Sequence, residues 1–158
     1  MKKTALWLMV ALSAGVLAQP ARNAFDDPFL PVTQALPGCP VPRPPLFTDE
    51  EVRKETHVRA EHGTSCFRSG RCRLPNSYLY DKEIIPRVRQ YLRQDGRFVD
   101  TSVWIQGERR LVTLMGCVRT ARQKEEMERA VLLVDDVTGV VNQLMVGTRG
   151  KPPYRVAP

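Results

Sequence analysis

The chain has 158 residues, with 24 Lys and Arg against 17 Asp and Glu, a formal net charge of +7. That length is room for one ordinary domain plus an extension. The moderate basic balance suits anionic headgroups or an acidic partner, and it is too dispersed to imply nucleic acid.

Residues 1–18 read as a secretory leader: Lys2 and Lys3 precede an apolar run from Ala5 to Leu12, and Val16 and Ala18 take the small-residue positions before a cut at Gln19. The apolar run is too short to span a bilayer. The expected location is the periplasm. All four cysteines lie beyond the leader, and an even count in an exported chain suggests two disulfides among three possible pairings.

Residues 19–80 form a Pro-rich N-terminal extension. Its prolines exclude long helices and central strands, yet Phe25, Phe29, Leu30, Val32 and Leu36 are too apolar for a pure linker. The segment is expected to be extended and to lie on something. Thr48 and Glu51 make a capping box that opens a polar surface helix, ending at Gly63. Cys66 to Cys72 then encloses a short basic loop.

From Asp81 to Gln94 an apolar stripe of Ile85, Val88 and Leu92 predicts a helix, with Pro86 either opening it or distorting its first turn. Two strands follow, about 99–106 and 109–118, joined by a tight turn placed at Gly107-Glu108. Thr120 caps the next helix, whose buried stripe is Met127, Ala130, Val131 and Val134. Val140 to Val146 returns to strand chemistry, and residues 148–158 read as a flexible tail.

This order resembles the BON domain, named for bacterial osmotic-shock and nodulation proteins, over residues 81–147. Leu114-Met115-Gly116-Cys117-Val118 is similar to the family's L-x-G-x-V, and Val137 with Val140-Val141-Asn142-Gln143-Leu144 to its V-x-x-V-x-N-x-L. Asp136 stands where the family usually has glycine. The resemblance implies an α+β fold of αββαβ order, with a three-stranded sheet and two helices on one face. It also implies an envelope protein that binds or stabilises phospholipid membranes, contributing to envelope integrity under osmotic stress.

Strict alternation places Trp104, Leu111, Met115, Val141 and Met145 on the sheet face that carries no helix. About five such side chains are each worth roughly 1.5–3 kcal/mol on burial, so the face needs an occupant. The favoured occupant is the Pro-rich arm, through Phe25, Phe29, Leu30 and Phe47. Cys117 shares that face, which favours a Cys39–Cys117 bond and leaves Cys66–Cys72 to close the basic loop. The rival occupants are lipid or a second subunit. Gly116, on the opposite face, is expected to let a helix approach the backbone.

Cations exceed anions between Arg59 and Arg97. Arginines beside tyrosines suit a phosphate-rich interface, so Arg71, Arg73, Arg87, Arg89 and Arg93 are the candidate lipid-binding residues. Their bland alternative is a solvated face laced with internal ion pairs. His57, His62, Cys66 and Cys72 could form a zinc set, but their spacing matches no standard finger and an exported chain favours the disulfide. No nucleophile stands beside a base in a recognisable frame. The expectation is therefore a non-enzyme without metal or cofactor. It would bind anionic phospholipid by peripheral membrane contact, or else serve as a protein-interaction accessory subunit of an envelope or secretion assembly.

Overall fold

The computed structural model describes residues 20–158, so the leader lies outside the described residues. The sheet has four strands: β1 (Phe29–Gln34), β2 (Ser102–Glu108), β3 (Leu111–Val118) and β4 (Gly139–Val146), in that spatial order. β1–β2 and β2–β3 are antiparallel, and β3–β4 is parallel, as its helical crossover requires.

The three-stranded expectation is corrected by β1, which the Pro-rich arm supplies. Pro31 pairs opposite Trp104, and the register shifts between Pro31 and Thr33. Proline lacks the ladder donor, so such a strand can exist only at an edge, which is where β1 lies.

The helices are α1 (Asp49–Gly63), the single turn α2 (Ser65–Arg68) inside the basic loop, α3 (Asp81–Gln94) and α4 (Ala121–Leu132). Thr48 caps α1 through the full capping box with Glu51, and Thr120 caps α4 by accepting from the Gln123 amide. Pro86 lies inside α3, which continues through it.

α3 and α4 cover one sheet face. Ile84, Ile85, Val88 and Leu92 from α3, and Met127, Ala130 and Val131 from α4, meet Val103, Ile105, Val112, Leu114 and Leu144 in the main core. These positions keep the 3.6 period on the helices and the period of two on the strands, which is why one face of each element is apolar. β2 begins later than the sequence suggests, because a 3₁₀ turn at Gly96–Phe98 drives Phe98 into this core.

The β2–β3 turn also moves. Gly107 stays in β2, and Arg109 and Arg110 take the positive φ values of 55° and 71°. A two-residue turn with both φ positive matches the strand twist, though arginine is an uncommon occupant. A β-carbon at Gly107 would meet Ile85 and Asp81 of α3, so glycine is needed there for helix packing.

Gly116 has the other reason. Its φ is +120°, and a β-carbon would lie 2.1 Å from the Ser102 carbonyl oxygen of β2. The close approach is to the neighbouring strand rather than to a helix, which corrects the expectation for this residue.

The C-terminal residues are docked rather than a free tail. Tyr154 is buried, and its hydroxyl donates to the Pro40 carbonyl at 2.8 Å. Pro42 bridges Val156, and the Arg43 amide donates to the Arg155 carbonyl at 2.8 Å. The sequence hides this because the tail has one aromatic residue and no periodicity; its partner is the equally irregular arm.

Candidate functional site

The helix-free sheet face carries a second, smaller core. Met115, Cys117, Met145 and Tyr154 are buried there, and Phe29, Leu36 and Cys39 pack against them. Trp104 is 6% exposed. Cys39 is bonded to Cys117 with their Cα atoms 5.8 Å apart, and Cys66 is bonded to Cys72, so neither of the latter is free for zinc. The arm and the tail together therefore occupy this face.

The occupant's details differ from the expectation. Phe29 covers the face, but Leu30 points to the main core. Phe25 and Phe47 meet edge to face at 5.4 Å and build a separate cluster with Arg59. Tyr154, which no pattern in the sequence flags, does the covering instead. Leu111 and Val141 remain exposed at 41% and 42%, so two of the five expected partner-face residues are uncovered.

Arg59 belongs to the basic stretch of the sequence, yet it is consumed inside the protein. Its fork donates to both Asp27 oxygens at 2.8 and 2.6 Å, and its Nε donates to Glu55 at 3.0 Å. The guanidinium lies between the Phe25 and Tyr78 rings, 4.0 and 4.2 Å from their centroids. This assembly ties α1 to the arm. The Tyr78 phenol is pushed up to about 12, chiefly by burial, with Glu55 adding to the effect.

The five candidate lipid-binding arginines are not one cluster. Arg71 is exposed on the disulfide-closed loop and donates to its neighbour Ser69 at 3.0 Å. Arg73 is paired with Glu83. Arg87 donates to Asp136 at 3.0 Å.

Arg89 and Arg93 stand apart, one turn from each other on α3 and facing β1. They flank a groove of about 440 Å³ bordered by Val32, Thr33, Leu92 and Val99. Both also line an adjoining hollow of about 350 Å³ with Leu30 and Pro86. Among the described residues neither has an ion-pair partner, and Arg89 Nε is shielded from solvent without an acceptor. Val99 beside them is 62% exposed. Unpaired guanidinium next to exposed apolar surface is the chemistry of a headgroup contact.

Asp81 is the buried carboxyl that sequence reasoning missed. It opens α3 and accepts from the Arg109 and Arg110 amides at 2.8 and 2.7 Å. Burial pushes it up to about 6, against the pull of those two hydrogen bonds. Its signal was an acidic residue at a helix start, which the helix dipole explains without a further role.

The motif residues are structural. Asn142 donates to the Lys124 carbonyl at 3.0 Å and to Glu128 at 2.9 Å, while its oxygen accepts from the Leu144 amide at 3.2 Å. This pins β4 to α4. Asp136 has φ of 72°, the conformation glycine adopts easily, and its carboxylate is held by Arg87 and Arg110. The turn geometry survives without glycine because aspartate tolerates it and the two arginines fix the side chain.

A family model described as the BON domain matches residues 80–148. No curated protein and no solved structure matches the chain. The matched span runs from the end of the 3₁₀ turn at Ser77–Tyr80, through α3, β2, β3 and α4, to just beyond β4. The chain carries a BON domain over residues 80–148, with its sheet extended by β1 and its helix-free face largely covered by the arm and by Tyr154.

Proposed function

We propose that this protein is a non-enzymatic periplasmic component of the cell envelope that binds anionic phospholipid through the α3 face bearing Arg89 and Arg93. The BON domain supports an envelope-associated role. The observation that carries the finer reading is the contrast along one helix. Arg87 is neutralised by Asp136, while Arg89 and Arg93 keep their charge beside the exposed Val99. Forked guanidinium donors match phosphate, and Val99 with the groove offers an apolar contact just below the headgroups. The two internal disulfides agree with an oxidising compartment. No helix among the described residues is long and apolar enough to cross a membrane, so the proposed contact is peripheral.

Sedimentation with vesicles tests this reading. Binding to vesicles containing phosphatidylglycerol, none to pure phosphatidylcholine, and release as salt shortens the screening length are the expected results. Equal binding to both vesicle types, or none at low salt, contradicts it.

One observation favours a second reading, an accessory subunit of an envelope assembly. β4 ends the sheet with no charged residue and no proline; its own Val141 is exposed, and so is Leu111 of the adjoining β3. Such an edge invites another strand. A defined protein co-purifying with the wild type, lost on Val141→Lys and free of lipid, would support that reading over the first.

A further inference from the structure

The arm closes the helix-free sheet face incompletely. Between Phe47, Met115 and Tyr154 it leaves a cleft of about 500 Å³. That volume lies within the range of small-molecule sites, about 300–1,000 Å³. The cleft is on the opposite side of the sheet from the α3 arginines.

Its floor carries three polar side chains from three adjacent strands. Gln106 of β2 is directly opposite Thr113 of β3, and Gln143 of β4 is level with Met115 of β3. None of the three makes a side-chain hydrogen bond to another described residue, although each is half-buried. None of their polar atoms is sealed from solvent without a partner, so this row of amide and hydroxyl groups stands open to a ligand that enters the cleft.

The cleft is also polarised. α1 runs along its wall, with Glu51, Glu55 and Arg59 on successive turns. Arg43 and Arg155 lie near the Glu51 end, close enough to help hold the Glu51 carboxyl below its ordinary range after the hydrogen bonds from Thr48. Their guanidiniums have no ion pair or hydrogen bond among the described residues. Glu108 lies at the other end, by Glu55 and Arg59, and is likewise unpaired; burial, then Glu55, raises its carboxyl. The remaining charges are used up: Arg59 satisfies Asp27 and Glu55, and Glu51 caps α1. From Glu51 to Arg59 the helix rises about 12 Å. Two to three extended residues reach about 7–11 Å.

We propose that this cleft binds a short free peptide of two or three residues. Its carboxylate meets Arg43 and Arg155, and its ammonium group meets Glu108. Its backbone amides pair with Gln106, Thr113 and Gln143, and its apolar side chains rest on Met115 and Phe47. A lipid headgroup would satisfy the cationic end but would leave the amide row and Glu108 unanswered, so the peptide fits more of the site.

The test titrates trialanine and Ala-Leu-Ala into the disulfide-intact protein and follows backbone amide resonances. Saturable shifts at Thr113, Met115, Gln143 and Arg155 are expected with at least one peptide. Carboxy-amidation and amino-acetylation should each weaken binding about tenfold or more. Arg43→Ala with Arg155→Ala should reproduce the loss caused by amidation, while Arg89→Glu with Arg93→Glu should leave peptide binding intact. Absence of shifts with both peptides overturns the proposal, as does binding that is indifferent to either blocking group. The blocked peptides are titrated into the unmodified protein, so the outcome does not depend on any variant folding.

Discussion

The Asp81 carboxylate accepts the backbone N–H of Arg110 at 2.7 Å, and that of Arg109 at 2.8 Å, across 28 to 29 residues of chain. One buried side chain at the start of α3 thereby fixes a hairpin turn whose two residues are both in the left-handed region. Arg109 and Arg110 stand where such a turn ordinarily has glycine or asparagine, and their hydrogen bonds to Asp81 hold them there. Burial pushes this carboxyl up to about 6 from an ordinary 3.8. The folded state therefore holds the Asp81 proton more tightly than the unfolded state does. Stability contributed by the neutral acid is present below pH 4 and is lost as pH rises to about 6, by up to roughly 3 kcal/mol. Urea unfolding should show Asp81→Asn costing more at pH 4 than at pH 7. A cost that grows with pH would mean that the two amides outweigh burial.

Gly116→Ala should be among the most damaging single methyl additions in the chain. The new carbon would meet the Ser102 carbonyl at 2.1 Å with φ at +120°, and relief requires separating β2 from β3. A loss of about 3 kcal/mol or more is expected. Gly70→Ala, also at positive φ but with no atom within 4 Å, should cost only about 1 kcal/mol. Thermal melts of the two variants make the comparison.

The disulfides should differ in weight. Cys39–Cys117 spans 78 residues and Cys66–Cys72 only 6. Loop-closure entropy gives about 4–5 kcal/mol for the first and about 2 kcal/mol for the second. Replacing each pair with serine and measuring unfolding in denaturant should reproduce that ranking. The Cys39–Cys117 variant should also expose Met115 and Met145 to oxidation, because the arm no longer holds their face closed.

Arg59→Lys should fail to substitute. Lysine keeps the charge but loses the fork to Asp27 and the stacking between Phe25 and Tyr78. Asp27, buried at 8% exposure, would be left short of a donor, so a loss of about 2–3 kcal/mol is expected. Protease nicking within α1 should accelerate in this variant, and unchanged nicking would show that α1 is held by other contacts.

The BON portion was legible because its elements bury one face each. Ile85, Val88 and Leu92, or Val112, Leu114 and Val118, advertise their partner through periodicity alone. The need for an occupant over Met115 and Met145 followed from the same alternation. The occupant's form did not, since β1 and the Tyr154 tail pair through backbone groups that any residue can supply, and proline masked the strand. The sheet's fourth strand is hidden in the sequence for that reason. The arginines show a different limit. Arg59, Arg73, Arg87, Arg89 and Arg93 look alike in sequence, but whether each meets a carboxylate depends on Asp27, Glu83 and Asp136, two of which are distant in the chain. Only the fold separates spent cations from free ones.

Vesicle binding by two charge-reversed variants tests the phospholipid assignment most directly. Arg89→Glu with Arg93→Glu should abolish sedimentation with phosphatidylglycerol vesicles at low salt, while Arg71→Glu should leave most of it and both proteins should melt like the wild type. Full binding by the Arg89/Arg93 variant, or a larger loss from Arg71→Glu, would contradict the assignment of the α3 face to the membrane.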